Sequence, residues 1–154
     1  MAKEIERKFL VKGNAWKKAT KGIVYRQGYL SSVKERIVRV RTMENKGFLT
    51  IKGITKGISR SEFEYEISAE DANIMLDEIC EKPLIEKKRY KIAVGSLVFE
   101  VDEFFGENKG LVVAEVEIKD EKQKIDLPDW IDEEVSGDPR YFNANLILHP
   151  FTKW

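Results

Sequence analysis

Alternation of charged and apolar side chains at a period of two runs through most of this chain, and no other feature restricts its fold as much. Segments 3–11, 23–32, 35–44, 47–53, 59–68, 84–94, 96–104 and 111–119 are rich in β-branched and aromatic residues at that period, and each predicts a strand. Asn45-Lys46-Gly47 and Val94-Gly95-Ser96 are tight-turn signals, so neighbouring strands should form hairpins in an antiparallel sheet. Between the fifth and sixth segments, Ser68 and Asp71 resemble a capping box. Ala72, Met75, Leu76 and Ile79 then share one helical face before Pro83, which predicts a helix packed on the sheet. Near the C-terminus, Asp138-Pro139 reads as a cap with proline at the first helical position, and Tyr141, Phe142 and Leu146 supply an apolar side. Trp130 and Ile131 are assigned to a shorter helix. Lys52 to Ser61, with two glycines and three basic residues, is expected to be a mobile loop.

The 154 residues, 42% of them hydrophobic, suit a single domain over 1–154 with a mainly β, α+β architecture. The amino terminus is charged from its third residue and no apolar run reaches the roughly 18 residues of a membrane span, so a soluble, cytoplasmic protein is expected. Lys plus Arg and Asp plus Glu both number 27, which removes any overall field drawing the chain to nucleic acid or an anionic membrane. Cys80 is alone and reads as a buried spectator. His149 is the single histidine, so serine-type triads and histidine base chemistry lack their usual participant. Neither glycine-rich phosphate-binding loop pattern is present, so any phosphate would be held by side chains on strands.

Residues at i and i+2 of a strand share a face. That rule groups Glu4, Glu6 and Lys8; Arg39 and Arg41; Thr50 and Lys52; Arg60, Glu62 and Glu64; Lys87 and Arg89; Glu100 and Asp102; Glu115 and Glu117. The opposite faces carry such residues as Val38, Val40, Leu49, Ile51, Phe63, Tyr65, Phe99, Val101 and Val116. A sheet with one side on a core and one in water gives the same alternation. Solvated faces, however, intersperse the two signs, whereas here Arg-x-Arg, Lys-x-Arg, Glu-x-Asp and three Glu-x-Glu pairs set like charges about 6.5 to 7 Å apart. Paired carboxylates repel unless a cation lies between them, and paired basic groups are settled by an anion such as phosphate. The oxygen-rich acidic groups suit Mg²⁺ or Mn²⁺ rather than zinc.

Glu4-Ile5-Glu6-Arg7-Lys8 is similar to the Glu-x-Glu-x-Lys signature of the CYTH superfamily, the triphosphate tunnel metalloenzymes. The resemblance continues in order through Gln27-Gly28-Tyr29-Leu30, Arg39-Val40-Arg41, Thr50-Ile51-Lys52, Arg60-Ser61-Glu62-Phe63-Glu64, Lys87-Lys88-Arg89-Tyr90, Glu100-Val101-Asp102 and Ala114-Glu115-Val116-Glu117. It fades after Lys119, except around Gly137-Asp138-Pro139-Arg140-Tyr141-Phe142-Asn143. It implies a closed eight-stranded antiparallel β-barrel, a tunnel with the charged face inward and helices packed outside. It also implies a divalent-metal-dependent triphosphatase of the small bacterial type, cleaving inorganic tripolyphosphate to pyrophosphate and phosphate. By the same resemblance Lys8, Arg39, Arg41, Lys52, Arg60, Lys87 and Arg89 would grip phosphates. Glu4, Glu6, Glu62, Glu64, Asp102, Glu115 and Glu117 would hold Mg²⁺ or Mn²⁺, and Glu4, Glu6, Lys8, Tyr29 and Lys87 would serve the chemistry. Class IV adenylate cyclases and nucleoside or thiamine triphosphatases share the gripping residues and stay as alternatives. A non-catalytic polyphosphate-binding module is the rival of another class, and the acidic set argues against it. The expected partner is a small triphosphate, with no nucleic acid or membrane; the oligomeric state is left open, a homodimer included.

Overall fold

The computed structural model describes residues 3–154. Among them are nine strands: β1 (Lys3–Val11), β2 (Ile23–Val33), β3 (Arg36–Met43), β4 (Lys46–Lys52), β5 (Ser59–Ile67), β6 (Ile85–Val94), β7 (Leu97–Phe104), β8 (Val112–Glu117) and β9 (Ile131–Glu134). All pairings are antiparallel, in the order β5-β4-β3-β2-β6-β7-β8-β1-β9. The start of β1 returns to β5 through Lys3↔Ser61, Glu4↔Arg60 and Ile5↔Ser59, so β1 to β8 close a ring. Closure leaves each strand one inward and one outward row of side chains. The eight alternating segments thus became the eight ring strands, with ends displaced by one or two residues.

Helix α1 (Ala69–Glu78) lies outside the ring, as expected. Ser68 caps it by accepting a 3.0 Å hydrogen bond from the Asp71 amide, and Glu70 and Asp71 in the first turn suit the positive end of the helix dipole. Ala72 and Leu76 are fully buried against Val40, with Leu49 and Ile67 packed around them. This seat depends on glycine at two sheet positions: a Cβ at Gly28 would stand 2.7 Å from Leu84 and 2.9 Å from Cys80, and one at Gly47 would stand 2.7 Å from Ala72. Ile79 departs from the expected buried face and is 63% exposed, because the helix ends at Glu78 and the chain turns at φ −120°; Cys80 goes in instead.

Around β6, β7, β8 and β1 the outer apolar row is covered by irregular chain rather than helix. Trp16, from a 3-10 turn (Ala15–Lys18), packs edge-on to Tyr90 at 5.1 Å, and Trp130 packs edge-on to Phe99 at 5.7 Å. On β4 and β5, Ile51, Phe63 and Tyr65 remain exposed. In place of the helix expected at Trp130 and Ile131, Trp130 lies in a turn and Ile131 begins β9, an edge strand laid on β1 through Phe9↔Glu134 and Val11↔Ile131. The expected C-terminal helix is broken into a 3-10 turn (Pro139–Tyr141), capped by Asp138 accepting from the Arg140 amide, and the short α2 (Asn143–Leu146). This segment caps one end of the ring, where Tyr141, Leu146 and Ile147 bury against Tyr29, Ile37, Ile85, Phe104 and Val113, residues in the rows that also carry the inward charges. Among the described residues no helix is long and apolar enough to cross a membrane.

Candidate active site

The strand order sorts the inward charges into two sectors. β4, β3 and β6 bring Lys52, Arg39, Arg41, Lys87 and Arg89 to one side, with β2 between β3 and β6 contributing Tyr25, Gln27 and Tyr29. β7, β8, β1 and β5 form the other side with Asp102, Glu115, Glu117, Glu4, Glu6, Glu62 and Glu64, into which Lys8 and Arg60 intrude. Like charges that lie two apart in sequence therefore face opposite charges on neighbouring or facing strands. A partly open cavity of about 270 Å³ lies between them, and its walls include Glu4, Glu6, Lys8, Tyr29, Arg39, Lys52, Arg60, Lys87, Arg89 and Glu115.

Ion pairs run along the seams. Lys52 Nζ lies 3.2 Å from Glu4 and 3.5 Å from Glu62, and Lys8 Nζ lies 3.5 Å from Glu115. Asp102, expected among the metal-holding groups, instead has both oxygens engaged: Arg89 donates to them at 2.8 and 2.9 Å, and Lys87 Nζ stands 2.8 Å from Oδ2. Glu64 likewise serves the basic sector, accepting from Arg41 at 3.2 Å and from the Thr50 hydroxyl at 3.2 Å. Both oxygens of Asp102 are thus occupied, whereas in Glu64 both hydrogen bonds fall on Oε1. Glu117 is exposed and stands opposite Glu6 in the β1–β8 pairing, with its carboxyl raised by burial and by the nearby Glu4 and Glu100.

Of the remaining acidic groups, Glu4 accepts from Lys52 at both oxygens, at 3.2 and 3.3 Å, and the crowding falls on Glu6 and Glu62. Burial, followed by the charges of Glu115 and Glu4, pushes the Glu6 carboxyl well above its ordinary value. Burial and contact with Glu4 raise Glu62 to about 7, and Glu62 Oε2 is buried with no hydrogen bond, its basic neighbour Lys52 Nζ standing 3.5 Å away. Burial alone would raise Glu115, but Lys8, Arg89 and Lys87 hold it well below the usual carboxylate range. The raised Glu6 and Glu62 carboxyls would be relieved by a positive ion between them. Among the described residues no three acidic, cysteine or histidine side chains close on one point as a ready-made clasp. The donor set therefore fits a hard divalent cation whose shell is completed by water and phosphate oxygens.

On the basic side, burial and then Arg39 and Arg89 lower the Arg41 guanidinium to about 10. The Tyr25 ring lies between two guanidinium groups, 5.3 Å from Arg41 and 5.0 Å from Arg89, and offers both a negative π face. Lys87 is 1% exposed, and burial together with Arg89 brings its amine down to about 8 despite Asp102. Lys8 Nζ donates to the Tyr141 carbonyl at 3.2 Å and stands 5.5 Å above the Phe142 ring. Tyr25, Gln27, Phe142 and Asn143 belong to this site and were not among the expected residues. Tyr25 and Gln27 share the period-two row of Tyr29 and were legible in that way; Phe142 and Asn143 come from an irregular segment that carries no period.

The chain matches the CYTH domain over residues 2–149. It is 54% identical over 151 residues to a curated protein of Acetivibrio thermocellus named inorganic triphosphatase, spanning 98% of this chain and 97% of that one. It is 38% identical over 150 residues to a protein of the same name from Nitrosomonas europaea, spanning 94% and 97%. The fold superposes on a crystal structure described as the inorganic triphosphatase NE1496 with a TM-score of 0.68 and 32% identity, covering 94% of this chain and 97% of that one.

Proposed function

The chain belongs to the CYTH family, and on that premise we propose that its tunnel hydrolyses inorganic tripolyphosphate to pyrophosphate and phosphate, using Mg²⁺ or Mn²⁺. The observation that carries this reading is the confrontation of a mainly basic sector with a mainly acidic one across a cavity of about 270 Å³. A polyanion alone would need only the first, and a cation alone only the second.

Arg39, Arg41, Lys52 and Arg89 would hold the phosphate oxygens, with Arg60 at the β1–β5 seam. Glu4, Glu6, Glu62 and Glu115, joined by Glu117 opposite Glu6 on β8, would hold the metal. The bound cation would supply charge neutralisation between phosphate oxygens and acidic wall. Phosphoryl transfer asks the protein chiefly for alignment and for positive charge where negative charge builds up. The attacking water forms a bond to a terminal phosphorus as the bridging P–O bond breaks, and pyrophosphate departs. A glutamate of the acidic wall would take the water's proton, Lys87, held as an ammonium beside Asp102, would hydrogen-bond a phosphate oxygen, and the Tyr29 hydroxyl would hydrogen-bond substrate or leaving oxygen. Asp102 keeps Lys87 and Arg89 in place.

The relatives named inorganic triphosphatase do not favour the adenylate cyclase alternative. A pure polyphosphate-binding module gains nothing from four carboxylates beside its ligand. Steady-state assays with tripolyphosphate, ATP and thiamine triphosphate, each with Mg²⁺ or Mn²⁺, test the reading. Tripolyphosphate should give the highest kcat/KM, and a chelator should abolish turnover. Faster release from ATP, formation of a cyclic nucleotide, or tight metal-independent binding without phosphate release would overturn it.

A further inference from the structure

We propose that Asn143 is a positioning residue that fixes Lys87 and Tyr29 relative to one another, an assignment resting on the tripolyphosphatase reading above. Asn143 Oδ1 accepts a hydrogen bond from Lys87 Nζ at 3.0 Å and a second from Gln27 Nε2 at 3.2 Å. Gln27, with no exposed surface, also donates Nε2 to the Tyr29 hydroxyl at 3.1 Å. Lysine has donors and no acceptor, so the Asn143 carbonyl oxygen must face Nζ, and the second donor then finds the same oxygen. A chain Tyr29–Gln27–Asn143–Lys87 results, and Asp102 holds its far end.

Lys87 reaches the cavity on a four-carbon stem, so without a second anchor its amine would follow Asp102 and Arg89. Asp102 draws it toward β7; Asn143 draws it toward the capped end of the ring. The opposed bonds set where Nζ stands, and near-attack geometry is sensitive to displacements of about 1 Å. Asn143 begins α2, next to Phe142 over Lys8 and Tyr141 accepting from Lys8, so the seat of the C-terminal segment reads directly onto both tunnel lysines.

Asn143→Leu keeps the size and removes the acceptor, whereas Asn143→Asp keeps the acceptor. With tripolyphosphate and Mg²⁺, the leucine variant should lose roughly 10- to 100-fold in kcat, with KM within about threefold of wild type. The aspartate variant should recover most of that loss, and both should melt within a few degrees of wild type. A leucine variant with wild-type kcat, an aspartate variant as impaired as leucine, or a loss confined to KM would overturn the assignment. Should Asn143→Leu fail to fold, Asn143→Ala, which also lacks the acceptor and adds no bulk, takes its place with the same outcomes. Wild-type turnover beside an unimpaired leucine variant defeats Asn143 alone; an inactive wild type defeats the tripolyphosphatase reading and this one with it.

Discussion

Lys87 Nζ and Asp102 Oδ2 stand 2.8 Å apart with 1% of either side chain exposed, in a wall where Arg89 grips the same carboxylate. Removing one member of a buried pair leaves an uncompensated charge, which costs about 3–5 kcal/mol. Asp102→Asn should lower stability on that scale in urea unfolding. Glu134→Gln, which loosens the exposed pair with Arg7, should cost at most about 1 kcal/mol. Equal effects of the two substitutions would contradict the burial argument.

Arg41 and Glu117 lie in opposite sectors, one caged by Tyr25 and Glu64, the other exposed beside the acidic wall. Arg41→Ala and Glu117→Gln are each expected to lower turnover by roughly 10²-fold or more, the scale of losing one electrostatic element. Wild-type rates in both would remove the basis for assigning phosphate and metal to the two sectors.

Glu62 is raised from 4.5 to about 7, and Glu6 is raised as well. The native state therefore keeps protons that the unfolded chain has released, and the stability this contributes is present at low pH and lost as pH climbs through the folded value. Metal-free protein should melt at a lower temperature at pH 7.5 than at pH 5.5, values bracketing about 7. Because a cation must displace those protons, Mn²⁺ should raise the melting temperature more at the higher pH. A metal-free melting temperature that rises across the window contradicts the crowding of these carboxyls.

The eight ring strands were legible because the pleat forces alternate residues to opposite faces, and the hairpin at Val94-Gly95-Ser96 needed a positive φ that Gly95 adopts at 61°. Which face turned inward was not legible from the period and came from resemblance. β9 was missed because Ile131-Asp132-Glu133-Glu134 holds one apolar residue in four and rests on just two paired positions of β1. Ile79 was misplaced because the helical phase stopped one residue earlier. The ion pairs that bind Asp102 and Glu64 to basic neighbours are products of strand order, which like-charge spacing within single strands does not encode. Asn143 reaches Lys87 across 56 residues and Gln27 across 116, so although the resemblance around Gly137–Asn143 includes it, no local pattern gave its partners.

A crystal grown with tripolyphosphate and Mn²⁺, with anomalous scattering used to find the metal, tests the central claim most directly. The account predicts manganese among Glu4, Glu6, Glu62 and Glu115, with phosphates lying between it and Arg39, Arg41, Lys52 and Arg89. Manganese outside the ring, or tripolyphosphate bound on the outer surface with the tunnel unchanged, would contradict it.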